Sequence, residues 1–158
     1  MALQRRHRKT DVDEMAKELT SEQKLKIMRL RVLIVEDSAV DLLFLKTSLE
    51  KIGIQSIHEA VHGSDGAFKL LNARDMGLSF HLVLTDWKMP KKDGLAFLKQ
   101  IRSEKFKTRP YVIMLTSHAE TPAVREAKAA GIDDYIVKPF NLSVMTEKLI
   151  AALEKVTL

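Results

Sequence analysis

The 158-residue chain contains no cysteine, so disulfides, thiolate metal centres and cysteine nucleophiles are excluded at the outset. No apolar run approaches the roughly 18 residues that a membrane-spanning helix needs. The basic residues near the start, Arg5, Arg6, Arg8 and Lys9, have no apolar stretch behind them, which excludes a secretory signal. The five histidines (7, 58, 62, 81 and 118) never pair at a zinc-binding spacing on one element, since His58 and His62 straddle a strand end. The amino-terminal basic cluster could touch nucleic acid or anionic lipid by charge. With no aromatic or groove-reading element beside it, a solvated tail is the simpler reading. These absences leave a cytoplasmic protein as the expectation, with no membrane contact and no direct DNA binding.

What is present has the make-up of an ordinary globular protein, 46% apolar and 30% charged, long enough for one domain plus an extension. The net charge of +5 is uneven. Residues 1–30 contribute +3 and residues 31–158 only +2, so the body is nearly balanced. The chain therefore divides into a basic, partly helical extension over 1–30 and a folded domain over 31–158.

Within the extension, Val12, Met15, Ala16 and Leu19 fall at helical spacing. Thr20 followed three residues later by Gln23 reads as a capping box for a second short helix carrying Leu25, Ile27 and Met28. Helices this short must bury their stripe, either on the body or on a partner.

From Arg31 onward, strands alternate with helices. Val32–Val35 is a buried strand, and Ser38 caps a helix that stops at Gly53. Residues 54–60 read as a less buried strand, and a helix runs from Gly63 to a stop at Gly77. His81–Asp86 is the next buried strand, followed by a Pro90-to-Gly94 turn and a helix over 95–104. Strands over 110–115 and 132–137 follow. A helix beginning at Pro122 lies between them, and Asn141 caps a last helix reaching about residue 155. Five strands joined by helical crossovers imply an α/β fold, a parallel sheet covered on both faces.

A parallel sheet gathers its strand carboxyl ends along one edge. Glu36 and Asp37 arrive there from the first strand, Asp86 from the third, Thr116 from the fourth and Lys138 from the fifth. Crowded carboxylates raise one another's pKa, and a hard divalent cation such as Mg²⁺ relieves them through oxygen ligation. A lysine and a hydroxyl opposite would serve an incoming anion. The set describes a phosphoryl site, in which Asp86 can act as nucleophile and become an aspartyl phosphate.

Val35-Glu36-Asp37-Ser38, Asp86-Trp87-Lys88-Met89-Pro90 with Asp93-Gly94, Leu115-Thr116-Ser117, and Gly131-Ile132-Asp133-Asp134-Tyr135 with Lys138-Pro139-Phe140 resemble the receiver domain of two-component response regulators. The likeness spans about residues 31–155. It implies a flavodoxin-like, three-layer (βα)5 fold with strand order 2-1-3-4-5. It also implies Asp86 as phosphoacceptor from a sensor histidine kinase or phosphotransfer protein. Glu36, Asp37, Asp86 and the Lys88 backbone carbonyl would hold Mg²⁺, and Thr116 and Lys138 would contact the phosphoryl oxygens. Tyr135 would be the aromatic switch, and the Lys138–Pro139 bond is often cis in this family. The resemblance further implies a readout surface on the helix after the fourth strand, the fifth strand and the last helix. A downstream protein target would bind there, and a homodimer is a possible assembly.

This sequence departs from the family pattern mildly. Glu36 replaces the commoner Asp. Lys88 and His118 sit where an attacking water would approach the acyl phosphate, so slow self-dephosphorylation is expected. Few residues follow the last helix, from which a stand-alone receiver is expected rather than one with a carboxyl-terminal output domain. The chain is not expected to be an enzyme beyond its own phosphorylation and dephosphorylation. A Mg²⁺-dependent phosphatase with an aspartate nucleophile usually needs a second acid two residues on, where this chain has Lys88. The other rival is a scaffold acting through residues 1–30 with a vestigial receiver, against which the intact acid set argues.

Overall fold

The computed structural model describes residues 19–89, 93–117 and 122–158. The helical stretch expected to carry Val12, Met15, Ala16 and Leu19 lies, apart from Leu19, outside the described residues, as do Pro90, Lys91, Lys92 and His118. The elements are α1 (Ser21–Arg29), β1 (Arg31–Val35), α2 (Ala39–Ile52), β2 (Ser56–Ala60), α3 (Gly63–Asp75) and β3 (Leu82–Asp86). They continue with α4 (Gly94–Ser103), β4 (Tyr111–Thr116), α5 (Pro122–Ala129), β5 (Asp134–Val137) and α6 (Leu142–Leu153). The five strands are parallel, in the order β2-β1-β3-β4-β5, which is the expected flavodoxin-like arrangement.

The strand sequences dictate the layering. Side chains alternate between faces of a strand, and here both faces are apolar. Val32 and Ile34 of β1, Leu82 and Leu84 of β3, and Ile113 and Leu115 of β4 join one core cluster with α2 and α6. Leu33, Val35, Val83 and Val112 join the opposite cluster with α3 and α4. Met114 packs with α5 through Val124 and Ala127. The result is a sheet between two helical layers.

The caps fall where the side chains suggest. Ser38 and Asn141 accept from backbone N–H groups of the first turns of α2 and α6, and Gly53 ends α2 at φ +113°. His62 is an N-cap not foreseen in the sequence, with Nδ1 accepting from Asp65 N–H at 3.1 Å. Two strands begin two residues later than expected. β2 begins at Ser56 because Ile54 N–H returns to Leu49 O, finishing the helix end. β5 begins at Asp134 because Ile132 N–H bonds back to Ala127 O.

The capping box of α1 is present in both directions, with Gln23 N–H donating to Thr20 Oγ1 and Thr20 N–H to Gln23 Oε1. Of its three expected apolar residues only Ile27 is buried, while Leu25 and Met28 are exposed. Leu19, Ile27 and Leu30 enter the α2/α6 core cluster. For α1, the question left open by the sequence resolves in favour of the body.

Candidate functional site

The register brings the strand ends level. Asp86 pairs with Leu115, and Thr116 pairs with Val137. Above this edge lies a cavity of about 410 Å³ lined by residues that include Glu36, Asp37, Asp41, Asp86, Trp87, Lys88, Thr116 and Lys138. It sits between β1 and β3, where the strand order reverses, the usual ligand position in open α/β sheets.

Local structure fixes the acids at different depths. Glu36 is 1% exposed, and its Oε1 accepts from Ser38 N–H at 3.0 Å. Asp86 is partly buried at the end of β3, whereas Asp37 and Lys88 are exposed at the rim. Thr116 is buried. The chain after Asp86 turns sharply: Gly94 N–H donates to Trp87 O at 3.0 Å. A Cβ at Gly94 would lie 2.7 Å from Asp86 O and 2.7 Å from Trp87 Cε3, so the turn requires glycine for close approach.

Lys138 joins the elements electrostatically. Its Nζ lies 3.1 Å from Glu36 Oε2, 3.3 Å from Asp41 Oδ2 and 3.4 Å from Asp86 Oδ1. Burial pushes the Glu36 carboxyl above its ordinary range; the Ser38 N–H opposes this, and the nearby Asp86 charge adds to it. Burial likewise raises Asp86, with Lys138 pulling the other way. For Lys138 itself burial favours the neutral amine, but the Glu36 hydrogen bond and the Asp86 and Glu36 charges outweigh it and raise the pKa. The pocket thus holds more carboxylate than one ammonium neutralises. Oxygen atoms of Glu36, Asp37 and Asp86 lie within 4.8 Å of one another, an all-oxygen donor set suited to a hard divalent cation.

The structure brings Glu36, Asp37, Asp86, Lys88, Thr116 and Lys138 to one cavity. The Lys138–Pro139 bond is cis. Tyr135 stands apart from the cavity lining and packs against the cluster of Trp87, Met114, Val124 and Ala127. Lys128 and Lys148 each place Nζ 5.5 Å from its ring centroid. His118 is outside the described residues. Sequence reasoning missed Asp41. Its signal was its place in the first turn of the helix that follows the first acid pair, three residues after the Ser38 cap.

Fold and site together define an α/β domain with a pocket of four acids and an ammonium at its topological switch point. The chain belongs to the response regulator receiver domain family, whose model matches residues 32–150. It is 36% identical over 121 residues to the chemotaxis protein CheY1 of Helicobacter pylori, covering 76% of this chain and 94% of that protein. A chemotaxis protein CheY homolog of Campylobacter jejuni is 35% identical over 120 residues, covering 76% and 89%. Among solved structures, the Vibrio cholerae chemotaxis protein CheY4 superposes with a TM-score of 0.68 at 28% identity, covering 78% of this chain and 98% of that one.

Proposed function

We propose that this chain is the phosphoacceptor of a two-component phosphorelay, with Asp86 as the phosphorylated residue. The observation that carries the reading is the meeting of Asp86 with Glu36 and Asp37 within 4.8 Å, opposite the Lys138 ammonium at 3.4 Å. An Asp86 carboxylate oxygen attacks the phosphorus of a phosphohistidine on a kinase or phosphotransfer protein. The P–N bond breaks, the imidazole nitrogen leaves with the electron pair and takes up a proton, and an acyl phosphate remains on Asp86. Lys138 and Thr116 receive the phosphoryl oxygens as charge partner and hydrogen-bond donor.

The donor set fits Mg²⁺, which Glu36, Asp37, Asp86 and the Lys88 carbonyl would hold and which would supply charge neutralisation at the phosphoryl oxygens. The new charge on Asp86 draws Thr116 and Lys138 toward it, and the end of β4 with Tyr135 carries that change to a protein partner. The output in this reading is cytoplasmic and runs through contact with a protein rather than DNA, and the similar proteins are named for chemotaxis. The chain turns over no other substrate. Lys88 at the cavity rim obstructs the attacking water and prolongs the acyl phosphate. A phosphorylated half-life of seconds in Mg²⁺ buffer would contradict that last point.

Intact-mass measurement after incubation with acetyl phosphate and Mg²⁺ tests the assignment. One phosphoryl adduct is expected on the wild type and none on Asp86→Ala. An equal adduct on the variant would overturn it.

A further inference from the structure

Of the three carboxylates around Lys138 among the described residues, only Asp41 stands outside the acid trio. Its backbone N–H is held by Ser38 Oγ at 3.3 Å in the first turn of α2, while its side chain is 48% exposed. Asp41 and Lys138 line both the acid cavity and a neighbouring apolar recess that contains Phe44 and Phe140. The pair therefore stands on the border between the two.

A divalent cation and the Lys138 ammonium draw on the same Glu36 and Asp86 carboxylates. Like charges a few ångströms apart repel, so an ammonium with no other partner opposes cation entry. Asp41 offers Lys138 a carboxylate that the cation does not use. We propose that Asp41 is a positioning residue, which keeps Lys138 at the rim of the pocket when Glu36 and Asp86 turn to a divalent cation. This rests on reading the acid trio as a Mg²⁺ site and does not depend on phosphorylation.

Trp87, the single tryptophan, lines the cavity beside Asp86, so its fluorescence is the readout for a Mg²⁺ titration of the full chain. Asp41→Asn is expected to weaken Mg²⁺ binding about two- to fivefold, the range of a partly exposed ion pair. The same substitution in a Lys138→Met background is expected to change nothing, because the effect passes through Lys138. Asp41→Glu, which keeps the charge, should recover part of the loss. An equal loss in both backgrounds would overturn the proposal, since Asp41 would then act only as a nearby negative charge. Unchanged affinity in the wild-type background would overturn it too. A wild type that binds no Mg²⁺ would remove the cation reading and the proposal with it. The expected couplings without any phosphoryl uptake would support the proposal and overturn the phosphoacceptor reading alone.

Discussion

The Lys138 ammonium meets the Glu36 carboxylate at 3.1 Å across 102 residues of sequence, and the Glu36 side chain has no exposure at all. Removing one partner of such a pair leaves the other charge buried and uncompensated. Glu36 can escape by taking a proton, which its raised pKa favours, so the penalty is moderated. Lys138→Met is expected to cost about 1–3 kcal/mol in urea unfolding at neutral pH with EDTA. Mg²⁺ should then stabilise the variant more than it stabilises the wild type, because both cations serve the same carboxylates. Equal Mg²⁺ stabilisation of the two proteins would show that ammonium and metal do not compete.

Gly94 leaves no room for a side chain next to the site. Gly94→Ala forces its new methyl against Asp86 O and the Trp87 ring, both 2.7 Å away. The clash is with backbone and a packed ring, so a shift of the turn is expected at about 1–3 kcal/mol. A changed Trp87 emission in the folded variant should accompany it. Unaltered stability and emission would mean that the turn has slack.

Much of the fold is legible in the residues because strand periodicity and burial coincide. Val32 and Ile34 alternate with Leu33 and Val35, and each pair enters a different core cluster. Apolar runs ending on Glu36, Asp37 and Asp86 point to the site edge, since a parallel sheet aligns those ends. The strand order came only from resemblance, because periodicity does not say which strand neighbours which. Asp41 was missed for a related reason: its partner Lys138 is 97 residues away, and nothing local announces the pairing. In α1, Leu25, Ile27 and Met28 are equally apolar, and only packing against Gly53 and α6 selects Ile27.

That selection can be measured. Ile27 is 1% exposed and Leu25 is 63% exposed on the same short helix. Ile27→Ala should destabilise the full chain by about 2–4 kcal/mol through lost burial and a cavity. Leu25→Ser should stay within about 0.5 kcal/mol, as for other surface changes. Urea unfolding of both variants decides the matter. A near-neutral Ile27→Ala would mean that α1 contributes little to the core.

At the opposite end of the sheet from the acid pocket, His81 Nδ1 accepts the Arg31 N–H at 2.9 Å, which requires a neutral ring. Burial lowers its pKa below the ordinary 6.5, and the Arg31 and Arg29 charges add to this. The unfolded chain therefore binds the proton more readily. The His81 contribution is fully present above about pH 6.5 and is lost as pH falls toward the lowered folded value. His58 is shifted the same way, by burial and then by Arg31 and Lys69, and adds to the slope. The raised carboxyls of Glu36 and Asp86 act in the opposite sense, gaining stability as pH falls through their folded values. Comparing wild type with His81→Asn cancels those common terms, since the Asn carbonyl can accept the same N–H without titrating. Urea midpoints at about pH 7.5 and about pH 5 should fall further for the wild type than for the variant. Parallel losses in the two proteins would assign the acid sensitivity to other groups.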